Sequence, residues 1–471
     1  MRIALVHCPF GHRDFSENLK VVDEEFCLAP PIVLAYVAAI LEKAGHDVII
    51  VEANALRLSK EQALARIERF SPHVIGFRVD TYWFHRVVEW ASYFKSRLNV
   101  KIVVGGINIS LYPMESLSYA CFDYGISGEA NESLPKLLSC IERGLSLDGI
   151  EGLIYRLGGS ILCNPPSRKC VDFNGYPFPA RHLLPNHLYY SFTSQRKNYT
   201  VMLTSRGCPY KCTFCAISRL SYSERSVEDV GEEIEECYRR YGIREIDFFD
   251  ATFFVNRERS LKICEEILKR GIQVEWSCRS RVDVVDEEML KTASRAGCRK
   301  IYYGIESVSP EVLRSINKGI ETHRVAQTIK MTRKYGIDTL GFFMIGNPCD
   351  TKENVLATIN FAKKIKLDFI QVCRTIAKPN TELNDILIEK CGADFWREYI
   401  LDEKRFKRLP TPWTTLSEKE VDVLARRFYR SFYFRPVYIV KRIFKMKSID
   451  EFVRYIAVGK KWLFCVGKGD I

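Results

Sequence analysis

Apolar runs alternate with helix-period stretches over most of the chain, the pattern of repeated strand–helix units rather than of a bundle or a sandwich. In the first 145 residues, Arg2–Cys8, Asp47–Ala53, His73–Val79, Lys101–Ile107 and Tyr124–Ser127 read as strands. Between them, Pro31–Ala44, Lys60–Phe70, Phe84–Leu98 and Glu132–Arg143 carry apolar residues at helical spacing. Repeats of this length predict a doubly wound parallel sheet of flavodoxin-like order. Such a sheet binds ligands outside the carboxyl ends of its strands. The loops there are Pro9–Gly11, Arg78–Tyr82, Gly105–Ser110 and Gly128–Glu132.

A second series runs from about 199 to 383. Its strands are Tyr199–Thr204, Glu245–Asp250, Val274–Cys278, Lys300–Glu306, Thr339–Gly346 and Phe369–Thr375. The helical stretches after them are Ser226–Tyr241, Arg257–Arg270, Asp286–Ala296, His323–Tyr335 and Thr351–Lys366. This pattern fits a partial (βα)6 barrel of the TIM type, with reactive groups at the carboxyl ends of the strands. The region between, 146–198, holds a hairpin pattern around Gly158-Gly159 and then closely spaced prolines, and is expected to be a stiff strap. From 384 to 471 the strand pattern stops and helical segments such as Glu418–Tyr433 and Ile449–Ile456 are expected.

Composition narrows the class. A chain of 471 residues with 47% hydrophobic content can bury more than one core. It has no uncharged apolar stretch of about 18 residues, so no membrane-spanning helix is expected. The opening Met1-Arg2-Ile3-Ala4-Leu5-Val6 reads as a strand rather than a signal peptide. With 17 cysteines and no secretory signal, the expected compartment is a reducing cytoplasm. The formal charge of +12 adds anionic partners. Between Arg426 and Lys447 stand eight basic residues and no acidic one, interleaved with Phe428, Tyr429, Phe432, Tyr433, Phe434, Tyr438 and Phe444. With Lys460-Lys461-Trp462, this suggests peripheral contact with the inner membrane face through 426–464. No nucleic-acid-binding signature is present, and nucleic acid is not expected as a partner.

The chemistry concentrates in Cys208-Pro209-Tyr210-Lys211-Cys212-Thr213-Phe214-Cys215, a C-x3-C-x2-C loop directly after a predicted strand. Thiolate is the ligand iron–sulfur clusters prefer, and a loop this short aims three sulfurs at one cuboidal cluster. Tetrahedral zinc would need a fourth Cys or His at similar spacing, and the next cysteine is Cys237, on a helical pattern. Cys208, Cys212 and Cys215, with Phe214 before the last, resemble the signature of the radical S-adenosylmethionine (SAM) superfamily. The resemblance implies a [4Fe-4S] cluster whose open iron chelates SAM, and reductive cleavage of SAM to a 5′-deoxyadenosyl radical. It also implies SAM contacts at other strand ends: Phe214, Asp250, Arg281, Glu306, Ser307, Ile345 and Gly346. Ala251 departs from the usual Asp-Asp-x-Phe pattern, and Asp250 is the position carried over. Asp283 also matches the family.

The first domain resembles the cobalamin-binding (B12) domain of one radical SAM subfamily. There Pro9, Gly105, Gly106, Ser110, Gly128 and Glu129 would line the corrin and its nucleotide tail. The Asp-x-His-x-x-Gly motif is absent, so the resemblance implies base-off cobalamin without a histidine ligand. The activity implied is methylation of an unactivated carbon of a small molecule, such as a lipid, isoprenoid or secondary metabolite. A reductant such as ferredoxin or flavodoxin would supply the electron. Two alternatives accompany it: a radical SAM cyclase or oxidoreductase acting on a membrane lipid with a non-methylating B12 domain, and a non-catalytic cobalamin or iron–sulfur sensor. No acid, base or nucleophile is singled out as catalytic.

Overall fold

The computed structural model describes residues 1–11, 27–166, 173–196, 198–405, 409–446, 451–456 and 459. The chain divides into two compact units: residues 1–13, 30–188 and 393–408 in one, and 14–29, 189–392 and 409–471 in the other.

The first unit is built on one seven-stranded sheet: β1 (Arg2–His7), β2 (Asp47–Glu52), β3 (Val74–Arg78), β4 (Lys101–Gly105), β5 (Tyr124–Ile126), β6 (Leu153–Leu157) and β7 (Ser160–Cys163). The spatial order is β2-β1-β3-β4-β5-β6-β7. The first five strands run parallel, so the flavodoxin-like expectation holds, and the chain reverses direction in space between β1 and β3. Buried Ile3, Leu5, Val103, Ile126, Leu137 and Leu153 form its core with helices Ile32–Lys43 and Ala130–Arg143. Helix Lys60–Phe70 buries only Ala63 and Ile67, and starts on a capping box of Ser59 and Gln62.

Two sequence boundaries need correction. The hairpin at the start of the predicted strap is part of this sheet, because β6 pairs antiparallel with β5 and β7 with β6. Its Leu153, Ile154 and Tyr155 are buried, so pairing hides apolar surface that a free strap would expose. The chain also returns late to this unit. Helix Phe395–Leu401 buries Trp396 completely, and Tyr119 Oη donates to Ile400 O at 2.6 Å.

The second unit holds six parallel strands in chain order: β8 (Tyr199–Met202), β9 (Glu245–Phe248), β10 (Glu275–Ser280), β11 (Cys298–Glu306), β12 (Asp338–Ile345) and β13 (Phe369–Arg374). Among the described residues β13 does not pair back to β8, so the barrel is open. Helix Glu418–Tyr433 covers the free edge. Tyr429 Oη accepts from Val372 N at 2.8 Å, and Tyr433 Oη accepts from Ile370 N at 2.9 Å and donates to Ile370 O at 2.7 Å. Two phenols thus occupy ladder groups that a bare edge strand would leave unpaired.

The turn leaving β8 is clamped from below by buried charges. Arg225 pairs with Glu233 and, at 2.5 Å, with Asp229, and donates to Leu203 O at 2.9 Å. Arg259 donates to Thr204 O at 2.6 Å and to Arg225 O at 2.8 Å. No helix among the described residues is long and apolar enough to cross a membrane. Replacing Arg225 with methionine leaves Glu233 buried without its cation. The expected cost is about 3–5 kcal/mol, read from urea unfolding, whereas Arg239→Met on the exposed face of the following helix, Val227–Arg240, stays within about 1 kcal/mol.

Candidate functional site

The three cysteines sit in the loop after β8, with Cys212 buried and Cys208 and Cys215 partly so. None is in a disulfide. Gly207 precedes them at φ +73°, where a Cβ would come within 2.3 Å of Ser221 O, so only glycine lets the chain enter. The loop is then tied to the barrel by its backbone: Thr213 N donates to Ile316 O (3.2 Å), Leu383 N to Thr213 O (3.0 Å), and Asn317 Nδ2 to Lys211 O (2.8 Å). Among the described residues no three His, Cys, Asp or Glu side chains group as ligands of one metal ion would. Each thiolate of a cuboidal cluster takes a different iron, so its sulfurs stand further apart than the ligands of a single ion. The soft, three-thiol donor set of this loop fits such a cluster.

Charge gathers around Cys212. Burial pushes its thiol pKa up, and the cations of Lys318 and Arg281 pull it back. Lys318 Nζ donates to Glu306 Oε1 at 2.8 Å, both side chains being 7% exposed. Burial works against the lysine's charge, but Glu306 and Cys212 outweigh it and its pKa is raised. Arg281 forms a bidentate pair with Asp283 (2.9 and 2.7 Å), donates to Lys318 O at 2.7 Å, and lies over the Tyr210 ring at 3.9 Å. Glu306 has φ +64°, at a register shift between Gly304 and Glu306. A non-glycine residue held there is strained, and strained backbone clusters at functional sites. Gly304 makes room for the pair, since a Cβ there would meet Lys318 Nζ at 2.6 Å.

The structure therefore brings together Cys212, Arg281 and Glu306. The carboxylate of Asp250 accepts from Thr204 N (2.7 Å), Ser205 N (3.1 Å) and Thr204 Oγ1, fixing the entry to the cysteine loop. Ser307 lies within 3.4 Å of Thr358 Oγ1 and accepts from Ser309 N at 3.2 Å. Phe214 packs on the main barrel core. Ile345 ends β12 and Gly346 follows it, its carbonyl oxygen accepting from Trp413 Nε1 at 2.9 Å.

Two residues were missed. Lys318 has no signal in the sequence, because it reaches Glu306 only through the return of helix Pro310–Ser315. Arg279 was readable, standing near the carboxyl end of β10, two residues before Arg281. It pairs with Asp247 (2.8 and 3.1 Å) and lies over the Phe249 ring at 4.0 Å.

In the first unit, Ser110 Oγ accepts from Gly128 N at 2.9 Å, joining two predicted loops. Gly105 O accepts from Val79 N at 2.7 Å, and Gly106, at φ +117°, has room for no Cβ beside Val79 O. Pro9 is half-buried after β1, and Glu129 stands at the N-cap position of helix Ala130–Arg143. A small cleft at the ends of β1 and β3 is lined by His7, Phe10, Pro31, Arg78 and Asp80 among others. Next to this sheet end, Thr81 Oγ1 and Asn108 Oδ1 are buried without a partner among the described residues. Orphaned acceptors after β3 and β4 suit a ligand fringed with amide donors, as a corrin is.

The model of the radical SAM superfamily matches residues 202–362, and that of the B12 binding domain residues 27–138. An uncharacterized methyltransferase of Pyrococcus horikoshii is 33% identical over 88% of this chain and 90% of its own length. The chain belongs to the radical SAM superfamily, in the group with a B12-binding domain. A [4Fe-4S] cluster and SAM are the cofactors that go with a radical SAM domain, and cobalamin with a B12-binding one. The anaerobic magnesium-protoporphyrin IX monomethyl ester cyclase of Rubrivivax gelatinosus is 25% identical over 79% of this chain and 68% of that protein. The radical SAM methyltransferase TsrM of Kitasatospora setae, solved with cobalamin and a [4Fe-4S] cluster, shares the fold. Its TM-score is 0.66 at 20% identity, covering 83% of this chain and 75% of TsrM.

The radical SAM domain also contains a titrating support beneath Gly346. Asp350 accepts from Gly346 N (3.0 Å), Asn347 N (2.9 Å) and Asn347 Nδ2 (3.1 Å), and burial raises its pKa to about 6. A carboxyl whose folded pKa is raised contributes stability that is full below its unfolded value near 4 and lost as pH rises through 6. The stability of the wild type relative to Asp350→Asn should therefore fall, by at most about 3 kcal/mol, between pH 4 and 7. Urea unfolding of both proteins across that range measures it.

Proposed function

We propose that this enzyme transfers a methyl group to an unactivated carbon of a small molecule. Cys208, Cys212 and Cys215 hold the cluster in this reading. The observation that carries it is the set of charges around Cys212, with Arg281 and Lys318 on one side and Glu306 beside them. A ligand that is a zwitterion with a carboxylate and an ammonium needs cations for the first and a carboxylate for the second. Lys318 and Arg281 offer the cations and Glu306 the carboxylate, and the Lys318–Glu306 pair opens to receive both. When bound, the cluster, SAM and cobalamin supply the radical and the methyl group.

The chain's own part is binding, orientation and water exclusion. Asp250, through Thr204 and Ser205, fixes where the cysteine loop begins. Tyr210 and Arg281 stack to hold the loop against the barrel. Phe214, packed on the core, keeps an apolar side next to the thiols. In the other unit, Pro9, Gly105, Gly106, Ser110, Gly128 and Glu129 are proposed to line cobalamin, with Asn108 and Thr81 as added acceptors. A ferredoxin- or flavodoxin-type reductant supplies the electron. Peripheral membrane contact through 426–464 belongs to the same reading. The similarity to a cyclase favours ring formation as the second reading.

Anaerobically reconstituted wild type with SAM and a strong reductant is expected to release 5′-deoxyadenosine, measured by liquid chromatography. Cys212→Ala should lose both iron and nucleoside. Lys318→Met should keep its iron but lower SAM affinity at least about tenfold, the worth of one charge-assisted hydrogen bond. Nucleoside release by the cysteine variant at the wild-type rate overturns the assignment.

A further inference from the structure

The last described full helix, Pro436–Lys445, is built inside out. Two of its three charged residues, Arg442 and Lys445, face the protein. Arg442, 5% exposed, donates to Asp338 at 3.1 Å and to Glu451 at 3.3 Å, and Lys445 reaches Asp338 at 2.7 Å and Asp368 at 2.8 Å. Tyr438 Oη donates to Asp368 O at 2.8 Å. Asp338 begins β12 and Asp368 precedes β13, so this helix lies under the amino ends of the strands, opposite the cysteine loop. The apolar residues face outward: Val437 is 81% exposed, Val440 54%, Ile443 50% and Phe444 86%, with Phe452 and Val453 exposed just beyond. A helix in water shows the reverse arrangement, and exposed apolar faces of this kind mark an interaction surface.

Charge identifies what covers it. Lys441 shares the outer face with Val437, Val440 and Phe444 at helical spacing. Lys364, Lys366, Arg427 and Arg430 are exposed on the neighbouring helical segments. From 423 to 449 the sequence has no acidic residue, and Asp368, buried, and Asp338, partly buried, are already paired with Arg442, Lys445 and Arg333. A second copy docked by the same face would set these cations against each other. An apolar face ringed by unopposed cations complements a surface with anionic headgroups over hydrocarbon.

We infer that the Pro436–Lys445 helix seats this enzyme on an anionic lipid surface, inserting Val437, Val440, Ile443 and Phe444 while Lys441 and its neighbours meet headgroups. It deepens the membrane contact proposed above and does not depend on the radical chemistry. The mouth of the barrel then points away from the lipid. The full chain should sediment with vesicles of phosphatidylcholine containing phosphatidylglycerol, less so in high salt, and not with phosphatidylcholine alone. Val440→Glu/Phe444→Glu should weaken the partitioning at least about tenfold, since it removes two inserted apolar groups and adds like charge. Sedimentation velocity of both proteins without lipid should give the same mass. Failure of the wild type to bind, undiminished binding by the double variant, or equal binding to neutral vesicles overturns the inference. A dimer that the variant dissolves overturns it in favour of a second copy. Nucleoside release by the same samples is a separate readout, so loss of lipid binding with intact release leaves the chemistry standing.

Discussion

The Lys318–Glu306 ion pair organises the reactive end of the barrel. It lies over Gly304, where any side chain would collide with the ammonium, and it holds Glu306 in a backbone conformation a carboxylate residue seldom adopts. Burial of two charges is costly unless each keeps a partner, so the pair gives the strand end one geometry. Arg281 joins it through Lys318 O, and Cys212 lies in the field of both cations. Cys212, the cations of Arg281 and Lys318, and the Glu306 carboxylate are thereby gathered at the carboxyl ends of β8, β10 and β11 of one sheet.

The cysteine loop is held from both directions. Above, its peptide groups bond to the segments around Ile316 and Leu383. Below, Asp250, Arg225 and Arg259 take up the backbone groups of Leu203, Thr204 and Ser205. Three buried charges for three peptide units fix one turn closely, which suits a loop proposed to hold an inorganic cluster through its thiols.

The carboxyl-terminal region divides one aromatic and basic stretch between two tasks. Tyr429 and Tyr433 close the free edge of β13, and Phe428 and Phe432 fill the core behind them. One helix later the arrangement inverts, because the two aspartates at the amino ends of β12 and β13 draw Arg442 and Lys445 inward. The aliphatic side chains are then left outside. Basic residues that the sequence suggested would meet a membrane are in part the cations of an internal network.

Local patterning was enough for the elements themselves. Apolar runs and helical spacing marked the six barrel strands and the five parallel strands of the first sheet, because hydrophobic periodicity is imposed by which face is buried. The three cysteines stood out as a candidate site because they share one short loop, and Glu306, Arg281, Ser110 and Gly128 as further candidates because they stand at or just after strand ends. The partner of Glu306 was not legible, nor was the attachment of the β6–β7 hairpin to the first sheet, nor the return of Trp396 to it. Each joins residues that no local pattern relates, and their proximity is set by how whole elements pack. The same holds for Pro436–Lys445, whose composition was plain from the sequence. Which of its faces is buried was decided by where two aspartates stand at the amino ends of the barrel strands.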